Sequence, residues 1–167
     1  NDGTSTYAYD SQNRLTTLTQ GGHTYAFTYS GNGDRLTQSV DGVVTHYTLD
    51  LEAGLTQVLS DGGQGYLYGE GRIALQSDWD SRYYLGDTLD SVRQLVDETD
   101  TVRQAQSFDP FGSVMNSAGN SPSAYQFAGE MRDDSSLIFL RARYYDPKRG
   151  ILLSPDPIEQ QGAIGAN

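Results

Sequence analysis

An all-β fold, laid out as a strip of antiparallel β-hairpins, is what this 167-residue sequence predicts. Three observations carry the prediction. Aromatic residues recur two apart (Tyr7 and Tyr9, then Tyr25, Phe27 and Tyr29, then Tyr66 and Tyr68), so each set projects from one face of an extended strand. Between the sets lie Gly21-Gly22, Gly31-Asn32-Gly33-Asp34, Asp41-Gly42 and Asp61-Gly62-Gly63, turn sequences that tolerate φ > 0 and join strands tightly. No long amphipathic helix is visible. The best candidate, residues 91–104, is divided by Asp97-Glu98-Thr99-Asp100 into two short β-branched arms, and a hairpin fits it better.

Composition narrows the function. The absence of cysteine excludes a disulfide scaffold, a zinc ribbon and a thiol nucleophile. His23 and His46 are the only histidines, too few for an imidazole metal site or base. With 11 Lys and Arg against 22 Asp and Glu the formal charge is −11, and a nucleic-acid partner is not expected, because phosphate binding needs a clustered basic surface. No apolar run approaches the ~18 residues of a membrane span. The hydrophobic fraction, 36%, is low enough to raise disorder as a competitor, but 12 Tyr, 5 Phe and 1 Trp at regular spacing argue for a packed sheet. A chain of this length buries roughly 70% of its unfolded surface without staples. It starts at Asn1 with no signal-peptide pattern, so a processed product or an excerpt of something longer is expected.

A repeat is superimposed on the hairpins. Residues 7–15, Tyr-Ala-Tyr-Asp-Ser-Gln-Asn-Arg-Leu, return at 27–36 as Phe-Thr-Tyr-Ser-Gly-Asn-Gly-Asp-Arg-Leu, and a third, degenerate copy begins at His46-Tyr47-Thr48-Leu49-Asp50. Units of this length bury their apolar face by stacking on neighbours. Two and a half copies do not close on themselves.

These residues resemble a known family. Tyr-x-Tyr-Asp followed by Arg-Leu, with Tyr9, Asp10, Arg14 and Leu15 in the first copy and Arg35 and Leu36 in the second, resembles the YD repeat over residues 1–82. Residues 83–158 resemble the RHS-repeat-associated core, and 159–167 form a tail. The matching blocks are Tyr83-Tyr84-Leu85-Gly86-Asp87, residues 91–97, Asp109-Pro110-Phe111-Gly112 after Phe108, Leu140-Arg141-Ala142-Arg143-Tyr144-Tyr145-Asp146-Pro147, and Asp156-Pro157-Ile158. The resemblance implies a YD-repeat spiral of antiparallel sheet with an RHS core curled inward to plug one end. In relatives such shells enclose toxins or serve as large surface proteins. The matched positions are expected to be structural. Three departures stand at turns: Asp90 replaces Gly, Ser135-Ser136 replaces Thr-Gly, and Ile151-Leu152 replaces Arg-Phe. Loss of a turn glycine predicts a different turn type at these hairpins.

The chemistry expected of these residues is sparse. In many relatives an aspartic-protease-like pair cleaves the chain after the core, one carboxyl acting as acid and the other as base. Asp156 matches the first carboxylate and Arg143 the supporting arginine. The second motif normally lies further along than Asn167, so autoproteolysis is expected only in a longer parent and no catalytic residue is assigned. Alternation predicts Arg141 and Arg143 on one strand face, paired with acids and stacked on Tyr. Gly69-Glu70-Gly71-Arg72-Ile73-Ala74 fits a dinucleotide-site spacing but lacks an α/β context, and reads as a hairpin. Asp78/Asp80 and Asp133/Asp134 offer carboxylates to Ca²⁺ without an EF-hand spacing, so solvated turns are expected and no cofactor is assigned.

Three functions follow, in descending order. The first is a non-catalytic structural module that associates head-to-tail with its own copies, up to a filament, through uncharged edge strands such as residues 5–9. The second is the C-terminal part of a toxin-encapsulating shell. The third is a glycan-binding surface built on Tyr beside Asp and Asn. A bacterial protein, secreted or at the cell surface, is expected in each case.

Overall fold

The computed structural model describes residues 5–77, 80–121 and 123–155. No α-helix occurs among them. Five strands, β1 (Ser5–Tyr9), β2 (Leu15–Gln20), β3 (His23–Tyr29), β4 (Arg35–Val40) and β5 (Val43–His46), form a first antiparallel sheet in sequence order. Eight more follow in a second sheet, again each beside its neighbour in sequence: β6 (Thr48–Asp50), β7 (Gln57–Ser60), β8 (Gly65–Tyr68), β9 (Arg72–Ser77), β10 (Asp80–Gly86), β11 (Val92–Asp97), β12 (Val102–Phe108) and β13 (Val114–Gly119). The two sheets meet at Tyr47, whose N–H donates to the Leu36 carbonyl. The strip then ends. The chain passes through a short 3-10 turn, Phe127–Gly129, into a small third sheet of β14 (Met131–Arg132), β15 (Ile138–Leu140), β16 (Arg143–Asp146) and β17 (Ile151–Leu152). The hairpin expected over residues 91–104 is β11 and β12, and the nucleotide-like spacing at Gly69–Ala74 covers the turn between β8 and β9 and the first three residues of β9.

One loop recurs along the chain. In the turns that start at Asp10, Ser30, Asp87, Asp97, Asp109, Gln126 and Asp133, the first N–H donates to the fifth carbonyl and the fourth N–H donates to the first. The fourth residue (Asn13, Gly33, Asp90, Asp100, Gly112, Gly129 or Ser136) has φ between 59° and 98°. Except at Gln126, where Ala128 is left-handed as well, this is a type I turn closed by a left-handed residue, which leaves one extra residue in the ladder and so a bulge beside the loop. Four leading aspartates lock it. Oδ1 of Asp10, Asp87, Asp97 and Asp109 accepts the N–H groups two and four residues on. The other oxygen of Asp10, Asp87 and Asp97 accepts from Arg14, Arg93 and Arg103 at 2.6–2.8 Å.

The altered turn type expected at Asp90 and Ser136 is therefore not found. Both residues take the left-handed conformation, at a cost of roughly 1–2 kcal/mol relative to an ordinary backbone, and the five-residue hydrogen-bond pattern holds them there. The third departure, Ile151-Leu152, pairs as β17 with β16.

The third sheet and the chain leading into it lie on the strip and complete both cores. Leu15, Leu18, Tyr25 and Phe27 from the first sheet pack with Leu137, Phe139 and Tyr144. Tyr66, Leu75, Val92 and Leu95 from the second pack with Tyr125 and Met131. Alternation set this up: Tyr25 and Phe27 are buried and Tyr29 half-buried on one face of β3, as are Tyr66 and Tyr68 on β8. Fully buried Leu18, Leu75, Leu95 and Ile138 each contribute about 1.5–3 kcal/mol. Tyr9 departs from its set. It is exposed, and its hydroxyl donates to the Leu153 carbonyl.

Candidate functional site: the clamp between strip and core segment

Burial along residues 123–144 converges on one ion pair. Arg35, the repeat arginine at the start of β4, donates from Nη1 to both oxygens of Asp133 at 2.9 and 2.7 Å, with both side chains 2% exposed. The Tyr144 hydroxyl lies 2.6 Å from the same nitrogen and donates to Asp133 Oδ2 at 2.9 Å. The Tyr47 hydroxyl accepts from Arg35 Nη2 and donates to Gln38. The guanidinium carbon lies over the Phe139 ring at 4.3 Å and the Tyr47 ring at 4.8 Å. Burial pushes the Asp133 carboxyl up and the Arg35 charge opposes it, while the guanidinium stays charged. A fully hydrogen-bonded pair of this kind fixes one docking register between strip and core segment.

Asp133 reaches Arg35 because it leaves its own turn. It leads a copy of the recurrent loop, yet its carboxylate points inward, and Ser135 Oγ accepts the Leu137 N–H instead. The Ca²⁺ expectation at Asp133/Asp134 meets this geometry: both Asp133 oxygens are engaged by Arg35 and Tyr144. Asp78 lies outside the described residues, and Asp80 pairs with Arg82. No group of three His, Asp or Glu side chains suited to a metal occurs among the described residues.

A second junction surrounds Arg72, on β9. Its Nη1 donates to the Gly129 carbonyl at 3.0 Å, and its guanidinium sits 3.0 Å from the centre of the Tyr125 ring, with Tyr68 and Tyr84 within 6 Å. The Ser91 hydroxyl accepts the Ala128 N–H, and Val92 N–H donates to Gln126, stitching the core segment to the start of β11. Gly112 is buried against the Phe127 ring, where an added Cβ would lie 2.6 Å from a ring carbon. Pro110 fills the second place of that loop, where its fixed φ suits a type I turn.

The remaining motif residues separate. Arg141 and Arg143 do not share a strand face: Arg141 has φ 62° in the turn between β15 and β16 and Arg143 begins β16. The left-handed turn residue points Arg141 at Glu130 Oε1, at 3.1 Å, and at the Thr56 carbonyl. Tyr145 donates to the Phe111 carbonyl, and Asp146 holds Arg149 beside the buried Pro147. Leu15 is core, whereas Leu36 is exposed. Asp156 and Pro157 lie outside the described residues, so no carboxyl pair with Arg143 is defined. Asp133, Glu130 and Arg72 were missed as clamp residues by sequence reasoning. The signal for Asp133 was present, since Asp133-Asp134-Ser135-Ser136-Leu137 repeats the loop spacing.

Known proteins resemble this chain in sequence and in fold. The chain is 28% identical over 169 residues to the tRNA nuclease WapA of Bacillus subtilis strain 168, matching 93% of this chain and 7% of WapA. It is 26% identical over 178 residues to the probable deoxyribonuclease RhsB of Dickeya dadantii, matching 91% of this chain and 12% of RhsB. It thus spans a small fraction of either relative. The TcdB2-TccC3-Cdc42 crystal structure superposes with a TM-score of 0.73 at 18% identity, over 93% of this chain and 9% of that one. The Tc holotoxin pore of Photorhabdus luminescens gives 0.72 at 18% identity, over 92% and 9%. The Teneurin YD-shell family matches residues 54–161, more than half of the sequence, and the chain belongs to that family.

Proposed function

We propose that this chain is a non-catalytic wall-and-plug segment of a bacterial shell protein, secreted or displayed at the surface, whose longer parent encloses a toxin. The observation that carries this reading is the double use of residues 123–144: they complete both hydrophobic cores of the strip and add the buried Arg35–Asp133 pair. The relatives support it by their names, a tRNA nuclease and a probable deoxyribonuclease. Self-cleavage by an aspartyl pair belongs, on this reading, to the parent.

The test uses the purified chain. Incubated with tRNA or duplex DNA and Mg²⁺, it is expected to leave both intact and to keep a constant mass; cleavage of either, or of itself, overturns the non-catalytic assignment. In limited trypsin digestion, Asp133→Asn should open the sites at Arg132, Arg141 and Arg143 while Arg93 and Arg103 stay resistant. Equal release of all five sites would remove the clamp from the plugging role.

Self-association is a second reading with its own observation. Strand β13 is the outer edge of its sheet, exposed along all six residues and free of charge and proline, the kind of edge that accepts another strand. Light scattering decides: a mass that grows with concentration supports addition of copies, and a constant monomer mass removes it.

A further inference from the structure

Between strip and core segment lies a cavity of about 760 Å³, within the range that holds a small molecule or a short piece of peptide. Its charged lining is layered. Half-buried Arg72, Glu130 and Arg141 form one group, in which Arg141 is hydrogen-bonded to Glu130 and both guanidinium groups act on the same carboxyl. Two cations share one anion there, and the other half-buried carboxylates of the lining are engaged elsewhere, Asp34 by the Ser30 and Thr56 hydroxyls and Asp87 by Arg93. The hydrogen bonds of Arg72 go to the Gly129 carbonyl and the Tyr68 hydroxyl rather than to a carboxylate. Each guanidinium donates from Nε and Nη1 to the protein, and neither Nη2 forms a hydrogen bond among the described residues. The exposed lining carries the opposite sign, with Glu70 and Asp90 at the β8–β9 and β10–β11 turns.

The aromatic faces exclude a competing ligand class. Arg72 covers Tyr125 and lies beside Tyr68 and Tyr84, and Arg35 covers Phe139, so the rings that line the cavity are stacked already and give a sugar no platform. An acidic exposed layer likewise repels a polyanion. What fits is a ligand with separated charges.

We propose that this cavity binds a zwitterionic ligand: a carboxylate held by Arg72 and Arg141, and a cationic group facing Glu70 and Asp90. A free amino acid and an acidic–basic pair within a peptide both carry this chemistry.

Thermal shift and calorimetric titration of the full chain with free glutamate, acetyl-Glu-Lys-amide and acetate test it. At least one of the first two is expected to bind and to raise the melting temperature, and which one does so identifies the source, free or peptide-borne. Arg72→Gln and Arg141→Gln should each weaken that binding about tenfold or more, the loss of a charge-assisted pair. The exposed double variant Glu70→Gln/Asp90→Asn, which leaves the core untouched, should weaken the zwitterion and spare acetate. Absence of any shift at tens of millimolar overturns the proposal, as does unchanged affinity in a folded Arg72→Gln or Arg141→Gln protein, or equal effects of the rim variant on zwitterion and acetate.

Discussion

At the scale of single residues, Asp133 shows how a repeat position acquires a second use. Its counterparts Asp10, Asp87, Asp97 and Asp109 cap their own turns, whereas Asp133 turns inward to Arg35 and a serine caps in its place. Asp133→Asn leaves a buried guanidinium without its counter-charge, and urea unfolding should read a loss of about 3 kcal/mol or more. The double variant Arg35→Met/Asp133→Leu removes both charges and should recover most of that loss. The turn aspartates set the acid limit. The Thr99 hydroxyl holds Asp97 below the usual carboxylate range, and the Ser113 N–H does the same for Asp109. Their unfolded counterparts take up protons near pH 4, so the stability they add is present above that pH and drains away as pH falls through the folded values. Burial shifts Glu130 the other way, so its contribution fades as pH rises through its folded value. Calorimetry from pH 7 to 2.5 should therefore find a shallow change at first and a steep fall in melting temperature below about pH 4.

At the scale of elements, the recurrent loop decides what a substitution does. Ser136 takes φ 68° without an amide or carboxylate side chain to ease it, so Ser136→Gly should raise stability by up to about 1 kcal/mol, read as a higher urea midpoint at unchanged slope. Gly112→Ala should do the reverse by more than 1 kcal/mol, because it combines φ 92° with a ring 2.6 Å from the new methyl. The strands themselves were legible. Alternation located Tyr25, Phe27, Tyr66 and Tyr68 on inner faces, and Gly21-Gly22 and Asp41-Gly42 marked two-residue turns whose central φ values are all positive. The loop class at Asp90 and Ser136 was not legible from glycine alone, because its backbone hydrogen bonds impose the left-handed residue whatever its side chain. Nor was the clamp, since alternation reports which face a residue takes and is silent on which distant segment covers that face.

At the scale of the whole molecule, two kinds of contact coexist. Every strand pairs with its neighbour in sequence, while the Arg35–Asp133 pair joins positions 98 apart. Adjacent hairpins close small loops and assemble quickly, whereas the clamp must wait until the segment beyond β13 has found its seat. This topology predicts an order of events during folding, with the strip first and its lock last. In a chevron experiment, Asp133→Asn should steepen nothing and leave the refolding limb where it is, while unfolding accelerates by nearly the full equilibrium effect. A matching slowdown in refolding would place the clamp in the nucleus. The seated core segment is then a kinetic latch: it governs how long the closed form lasts once made, and leaves the rate of making it to the hairpins.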